Sequence, residues 1–286
     1  MSPTDPATAA ALHTGGTVSG VRDRSGALCE VELLDGRSVM VKQNRAPGAT
    51  RAEATGLEWL AASGTVRVPL LHGWDERWLV AERVVTGPPG RAAAVELGRS
   101  LARMHRAGAP AFGAPPPDGP VEAYIGQAPM RNNAQDSWPG WYAEQRVLPY
   151  LRTAVDDGTI RPQEAGTVER LCDRLPDLAG PAEPPARLHG DLWNGNVLWG
   201  ADGHPYLIDP AAHGGHRETD LAMLHLFGCP QLPSVIQGYE EIAPLSEGWR
   251  TRIPLHQLFP LLVHAALFGR GYAEQALDAA RSALAV

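Results

Sequence analysis

The sequence predicts an α+β fold in two unequal lobes: a small antiparallel sheet with one helix, then a larger, mainly helical lobe. Three observations predict it. Residues 17–84 read as short apolar strands broken by Gly-containing turns, with a single helical period among them. From Arg91 onward the pattern lengthens into helices stopped by Gly and Pro. Between those helices, residues 188–210 (LHGDLWNGNVLWGADGHPYLIDP) hold two short apolar runs about a turn, framed by acidic and amide side chains. The boundary is expected at 85/86, giving a β-rich lobe over 1–85 and a helical lobe over 86–286.

A chain of 286 residues buries roughly three quarters of its unfolded surface, enough for two lobes. Hydrophobic residues are 44% and charged ones 20%, a globular balance. The formal net charge is −7 and no Lys/Arg block occurs, which argues against a nucleic-acid partner. Cys29, Cys172 and Cys229 are far apart and lack metal-binding spacing, so reduced thiols are expected. The first sixteen residues lack the basic start and apolar core of a signal peptide. The most apolar run, 258–269, is too short for a membrane span and contains His264. A cytoplasmic monomer with no membrane contact is the expectation.

Residues 1–14 are expected to be ragged. Strands follow at Thr17–Arg24 and Cys29–Leu34, turning at Arg24-Ser25-Gly26-Ala27, and Asp35-Gly36 turns into a third strand, Ser38–Lys42. Lys42 ends an apolar strand, where an ammonium is costly unless it meets a charge; otherwise it lies on an edge facing water. Thr50 opens a helix with Ala54, Leu57, Leu60 and Ala61 on one face, stopping at Gly64. Glu53 could close that helix as a capping box, T-x-x-E. Val66–Leu71 and Arg77–Val84 complete a sheet of about five strands, and Thr86-Gly87-Pro88-Pro89-Gly90 leads out of it.

Arg91–Arg106 is a strong helix with Leu97, Leu101, Met104 and His105 on one stripe and Gly108 as its stop; His105 reads as a packed core histidine. Ala109–Pro120 is a Pro/Gly-rich loop. Residues 162–175 form a helix with Pro162 at its start. His213 and His216 lie three apart, but the glycines between them argue against a rigid zinc pair. Residues 231–285 read as three amphipathic helices.

The chemistry concentrates in 188–210. Asn-Val-Leu-Trp and Pro-Tyr-Leu-Ile read as a hairpin about an Asp202-Gly203 turn. Folding it brings Asn196 roughly opposite Asp209, with Asp191 at the mouth of the preceding loop. Two hard oxygen ligands with open positions suit Mg²⁺ carrying nucleotide phosphates, and Asp191 is then placed to take a proton from an attacking hydroxyl. His189-Gly190-Asp191, four residues and Asn196 is the H-x-D-x-x-x-x-N arrangement of kinase catalytic loops, and Asp209-Pro210-Ala211 stands where protein kinases have D-F-G.

HGDLWNGN, then IDPA, then GHRETDLA (215–222) resembles the fructosamine/ketosamine kinase family, within the aminoglycoside phosphotransferase and choline kinase group of protein-kinase-like fold. The likeness covers nearly the whole chain, weakest over the first thirty residues, and Trp193 after Asp191-Leu192 is its most specific mark. The resemblance implies ATP and Mg²⁺ as cofactors and transfer of the γ-phosphoryl group to the 3-hydroxyl of sugar–amine adducts. The product is unstable and frees the amine, a deglycation role. It implies Asp191 as catalytic base, Asn196 and Asp209 on the metal, and Lys42 on the α/β-phosphates with Glu53 as its partner (Glu58 in reserve). Glu82 and Val84 would meet the adenine through their backbone, and Ser25 and Gly26 would lie over the phosphates, although this first hairpin is poorer in glycine than in relatives. Trp193 would face the sugar or its amine substituent, with His189 on the substrate side, and Asp220 would brace the catalytic-loop backbone. The segment Tyr124-Ile125-Gly126 with Trp138, Trp141, Tyr142 and Arg146 resembles one lying over the sugar site, or else buries its aromatics in the core.

No A-P-E segment or long activation loop follows Asp209, which argues against a protein-serine kinase. The alternatives are a small-molecule kinase acting on an aminoglycoside, choline or another alcohol, from which Trp193 distinguishes it, and a nucleotide-binding pseudokinase, which the complete polar set disfavours.

Overall fold

Helix α1 (Pro6–Thr14) opens the chain in the computed structural model, which describes residues 3–286. Three strands follow, β1 (Val18–Ser25), β2 (Leu28–Leu33) and β3 (Ser38–Gln43), then helix α2 (Ala49–Ala61) and strands β4 (Leu71–Trp74) and β5 (Trp78–Glu82). The five strands form one antiparallel sheet in the order β1-β2-β3-β5-β4.

Two expectations are corrected here. Residues 6–14 are helical rather than ragged: Asp5 accepts from the Thr8 amide at the N-terminus, and Ala9 and Ala10 are fully buried with Val31, Val39, Val41 and Val80. An alanine-rich helix carries no stripe of large apolar residues, so its pattern resembles a tail. The strand expected from Val66 begins only at Leu71; upstream, Arg67 bridges Tyr206 and its carbonyl accepts from the Leu207 amide at 2.9 Å. That segment joins the sheet to the rest of the molecule instead of lengthening it.

Alternation sets the two faces of the sheet. Val31, Val39 and Val41 meet α1, while Leu28 opposite Lys42, and Glu30 opposite Met40, take the other face. After β5 the chain crosses over, tied by Gly87 N–H to the Trp199 carbonyl (2.7 Å) and by Ala201 N–H to the Val85 carbonyl (2.8 Å).

The remainder is mainly helical. Helix α3 (Arg91–Arg106) precedes a hairpin of β6 (Glu122–Ile125) and β7 (Ala128–Arg131). Helix α4 (Trp138–Trp141) runs through a π-helical stretch, Tyr142–Val147, into α5 (Leu148–Asp156), and α6 (Pro162–Leu178) follows. Short strands β8 (Ala186–Leu188), β9 (Val197–Trp199), β10 (Pro205–Leu207) and β11 (His213–Gly215) surround the motif region. Helices α7 (Glu218–Leu226), α8 (Leu232–Ile242), α9 (Trp249–Phe268) and α10 (Arg270–Leu284) close the chain. The largest core joins α5, α6, α9 and α10 around Leu171, Phe259 and Leu262, and α9 is mostly buried rather than amphipathic. No helix among the described residues is long and apolar enough to cross a membrane.

Candidate active site

β9 and β10 pair as the sequence suggests, with Leu207 opposite Val197 and the Ile208 amide donating to the Asn196 carbonyl at 3.1 Å. Their connection is longer than the expected two-residue turn. Gly200 N–H reaches the His204 carbonyl and Gly203 N–H the Gly200 carbonyl, a three-residue loop in which Gly203 alone takes the left-handed conformation (φ 84). Asp202 instead accepts from the His204 amide (3.1 Å) and the Tyr206 hydroxyl (2.9 Å). The hairpin delivers Asn196 and Asp209 to one end. Asp209 adopts φ 51, a left-handed conformation costing on the order of 1 kcal/mol in a non-glycine residue.

Asn196 Nδ2 donates to the Asp191 carbonyl (2.8 Å) and to Asp191 Oδ2 (3.1 Å), so its amide oxygen is the donor atom left for a cation. Burial pushes the Asp191 carboxyl up to about 7, helped by the Asp209 and Asp220 charges and opposed by the Asn196 hydrogen bond and by Lys42.

Lys42, at the end of β3, points away from water. Its Nζ lies 2.9 Å from Glu53 Oε2 and 2.8 Å from Asp209 Oδ1. Burial works against this ammonium, but the two carboxylates outweigh it and hold its pKa above the ordinary lysine value. Glu53 sits one turn inside α2, which begins after Gly48 without a side-chain cap, so the capping-box reading is excluded. Asn44 Nδ2 also donates to Glu53 (3.1 Å), and burial keeps that carboxyl above its usual range. Asp209 is also raised by burial, yet Lys42 brings it below the usual range. Glu58 is exposed.

The loop ahead of Asp191 hangs on Asp220. Its Oδ2 accepts from the His189 amide (2.8 Å), its Oδ1 from the Gly190 amide (2.9 Å), and His105 Nε2 lies 3.1 Å from Oδ2. His105 is thus a buried core histidine, its other nitrogen 2.8 Å from the Tyr239 hydroxyl. Gly190 has φ 83, and a Cβ there would meet the Ala211 carbonyl at 2.1 Å. His189 departs from expectation. It is fully buried, its Nε2 faces the Ile208 carbonyl at 2.9 Å, and it supports the loop from behind instead of facing a substrate.

Lys42, Glu53, Asp191, Asn196 and Asp209 line one cleft of about 1020 Å³. Trp193, 40% exposed, stands at its rim, edge-on to Phe227, with Leu267 and Phe268 of α9 along the same wall. Tyr124–Gln127, the tip of the β6–β7 hairpin, forms part of the lining. Trp138, Trp141, Tyr142 and Arg146 are buried, as the core reading expects, while the hairpin tip lines the cleft. Gly26 lines the cleft and Ser25 precedes it at the β1–β2 turn. Glu82 and Val84 lie at the end of β5 and in the crossover, outside the lining of this cleft.

Sequence reading missed Asn132, which lines the cleft, and the direct Lys42–Asp209 contact. An isolated asparagine after a strand carries no local signal, and the ion pair spans 167 positions. His213 and His216 do not converge, since His213 Nδ1 faces the Ala211 carbonyl at 2.8 Å. His216 instead gathers with Glu218 and His256, where Arg252 already clamps Glu218 at 2.6 and 2.9 Å, so a cation occupies that carboxylate.

A model of the family described as fructosamine kinase matches residues 29–285. The chloroplastic protein-ribulosamine 3-kinase of Arabidopsis thaliana is 32% identical over 256 residues, 85% of this chain and 75% of that protein. The crystal structure of a Thermobifida fusca protein assigned as a fructosamine-3-kinase superposes with a TM-score of 0.91 at 52% identity, covering 98% of each chain. The choline kinase of Streptococcus pneumoniae has the same two-lobed, protein-kinase-like fold, with a TM-score of 0.65 at 14% identity over 94% of each chain.

Proposed function

The chain belongs to the fructosamine kinase family, and from that membership we propose that it is an ATP-dependent phosphotransferase acting on the 3-hydroxyl of ketosamines, the fructosamine and ribulosamine adducts of amines. The observation that carries the reading is the single cleft in which Asp191, raised to about 7, faces the same space as the Lys42–Glu53–Asp209 cluster.

Asp191 orients the acceptor hydroxyl and takes its proton as the oxygen attacks the γ-phosphorus and the bond to the departing ADP breaks. Its elevated pKa makes it a competent base near neutrality. Lys42, held by Glu53, exchanges Asp209 for the nucleotide phosphates. Asp209, whose carboxylate is 46% exposed, and the free amide oxygen of Asn196 form an all-oxygen donor set that fits Mg²⁺. That ion supplies charge neutralisation on the phosphates when bound. Asp220 acts on the reaction only through the loop it suspends. Ser25 and Gly26 would lie over the phosphates, and the backbone at Glu82 and Val84, just beyond the lining of the cleft, would meet the base in the crossover. That crossover, near residues 85–86, divides a nucleotide-binding lobe from the helical one. Trp193 and the adjoining Leu267 and Phe268 offer an uncharged wall to the amine's substituent. Cys29, Cys172 and Cys229 are unpaired, consistent with action in the reducing cytoplasm.

Asp191→Asn should keep nucleotide affinity and lower turnover by about 10³-fold; near-normal turnover would remove Asp191 from this role. An acceptor panel tests the substrate. Ribulosyl- or fructosyl-lysine should stimulate ATP consumption above kanamycin and choline, and a preference for kanamycin would move the assignment to another alcohol acceptor.

A further inference from the structure

Asn132 is 1% exposed, directly follows β7, and lines the cleft, yet its Nδ2 has no hydrogen-bond partner. Its oxygen is committed, accepting from Arg146 Nη2 at 2.8 Å. A guanidinium only donates, so this contact fixes which end of the amide faces Arg146 and leaves both N–H groups without a protein acceptor. Folded proteins leave few buried donors unpaired, and such exceptions call for an explanation.

The support behind Asn132 is elaborate for a structural asparagine. Arg146 is itself 1% exposed, and its hydrogen-bond partners among the described residues are carbonyl and amide oxygens, none of them a carboxylate. Its Nη1 donates to the Arg131 carbonyl at 2.8 Å, and its guanidinium carbon lies 4.5 Å from the Trp141 ring centre and 5.6 Å from that of Phe259. It sits in the π-helical stretch Tyr142–Val147, a distortion often found at functional sites. The Asn132 backbone is pinned as well, its amide donating to the Val121 carbonyl at 2.8 Å.

We propose that Asn132 is a substrate-binding residue: its side-chain N–H donates to a hydroxyl or carbonyl oxygen of the ketosugar other than the one phosphorylated, and Arg146 is the positioning residue that orients it. The inference deepens the kinase reading and rests on it for the identity of the acceptor. It gives the cleft a fixed donor on the β6–β7 side, apart from the base at Asp191. A site built to donate to a substrate oxygen rejects an analogue that lacks that oxygen.

Asn132→Asp separates this role from a structural one. The carboxylate keeps an oxygen for Arg146 and replaces the donor with an acceptor. The expected result is a thermal midpoint at or above wild type, an unchanged KM for ATP, and an acceptor kcat/KM lower by about 30-fold, mostly through KM. Ketosamines lacking one hydroxyl at a time supply the second measurement. One of them should be as poor with wild type as the parent is with Asn132→Asp, and should lose little more when both changes are combined. A folded Asn132→Asp protein with wild-type acceptor KM overturns the proposal, as does full additivity with every deoxy analogue. Should wild type accept kanamycin and no ketosamine, the family-based substrate falls, and the same variant measured on kanamycin still decides Asn132: a raised KM supports it and an unchanged one overturns it.

Discussion

Asp191 illustrates how a residue's role is written partly in sequence and partly in burial. Its five-residue spacing to Asn196 is local and could be read directly; its pKa of about 7 comes from burial and the neighbouring Asp209 and Asp220 charges, which no local pattern records. Acceptor kcat/KM should therefore rise with pH through about 7 with the slope of one ionisation, then level; a flat profile from pH 6 to 8 would exclude Asp191 as the titrating base. Stability should run the other way. Between roughly pH 4 and 7 the folded protein retains a proton on Asp191 that the unfolded chain releases, so ionisation costs stability as pH rises. The Asp191→Asn protein should accordingly match wild type in thermal midpoint near pH 4 and exceed it by a margin that grows up to about pH 7 and then levels. His189 shows the opposite failure. Its place in the motif suggested substrate contact, but Asp220 pulls the loop backbone inward and leaves the ring fully buried.

At the scale of elements, long helices and alternating strands were legible because their periods repeat. Helix α3 was bounded correctly at Arg91 and Arg106, whereas α1 was hidden by its alanines and the β6–β7 hairpin by its brevity. How elements press together was not legible. α3 and α8 approach so closely that a Cβ at Gly98 would lie 1.9 Å from the Val235 carbonyl oxygen, and one at Gly238 would lie 2.1 Å from that of Val95. Both obstructing atoms are backbone, so a methyl group can be fitted only by separating the helices. Gly98→Ala or Gly238→Ala should each cost about 3 kcal/mol in denaturant unfolding. Because α3 also carries His105 to Asp220, the residual folded enzyme should show lower turnover than its nucleotide affinity would suggest. A loss below 0.5 kcal/mol would mean that the helices pack less tightly than these distances require.

The two lobes meet behind the cleft through a shared core, in which Trp59, Leu60 and Val66 pack with Leu97 and Leu101, and through the backbone ties at Val85 and Gly87 and the Arg67 bridge to Tyr206; across the cleft itself Lys42 pairs with Asp209. Motif reading anticipated a lysine for phosphate and an aspartate for metal, but not that each would satisfy the other directly, since that contact depends on lobe placement rather than spacing. The ion pair spans the cleft and occupies the groups proposed to hold nucleotide and metal, so under that proposal nucleotide binding would exchange one set of charge partners for another. Lys42→Met tests this exchange. The variant leaves Glu53, already raised by burial, without its cation, and should take up a proton there more readily than wild type does. Nucleotide affinity should fall at least about tenfold, the loss expected for one charge-assisted contact. In the free protein, amide exchange should quicken in β3 and α2 while α6 and α10, remote from the cleft, keep their protection. Unchanged nucleotide affinity would mean that Lys42 remains with Asp209 and never transfers to phosphate, and the exchange across the cleft would then have no part in the reaction.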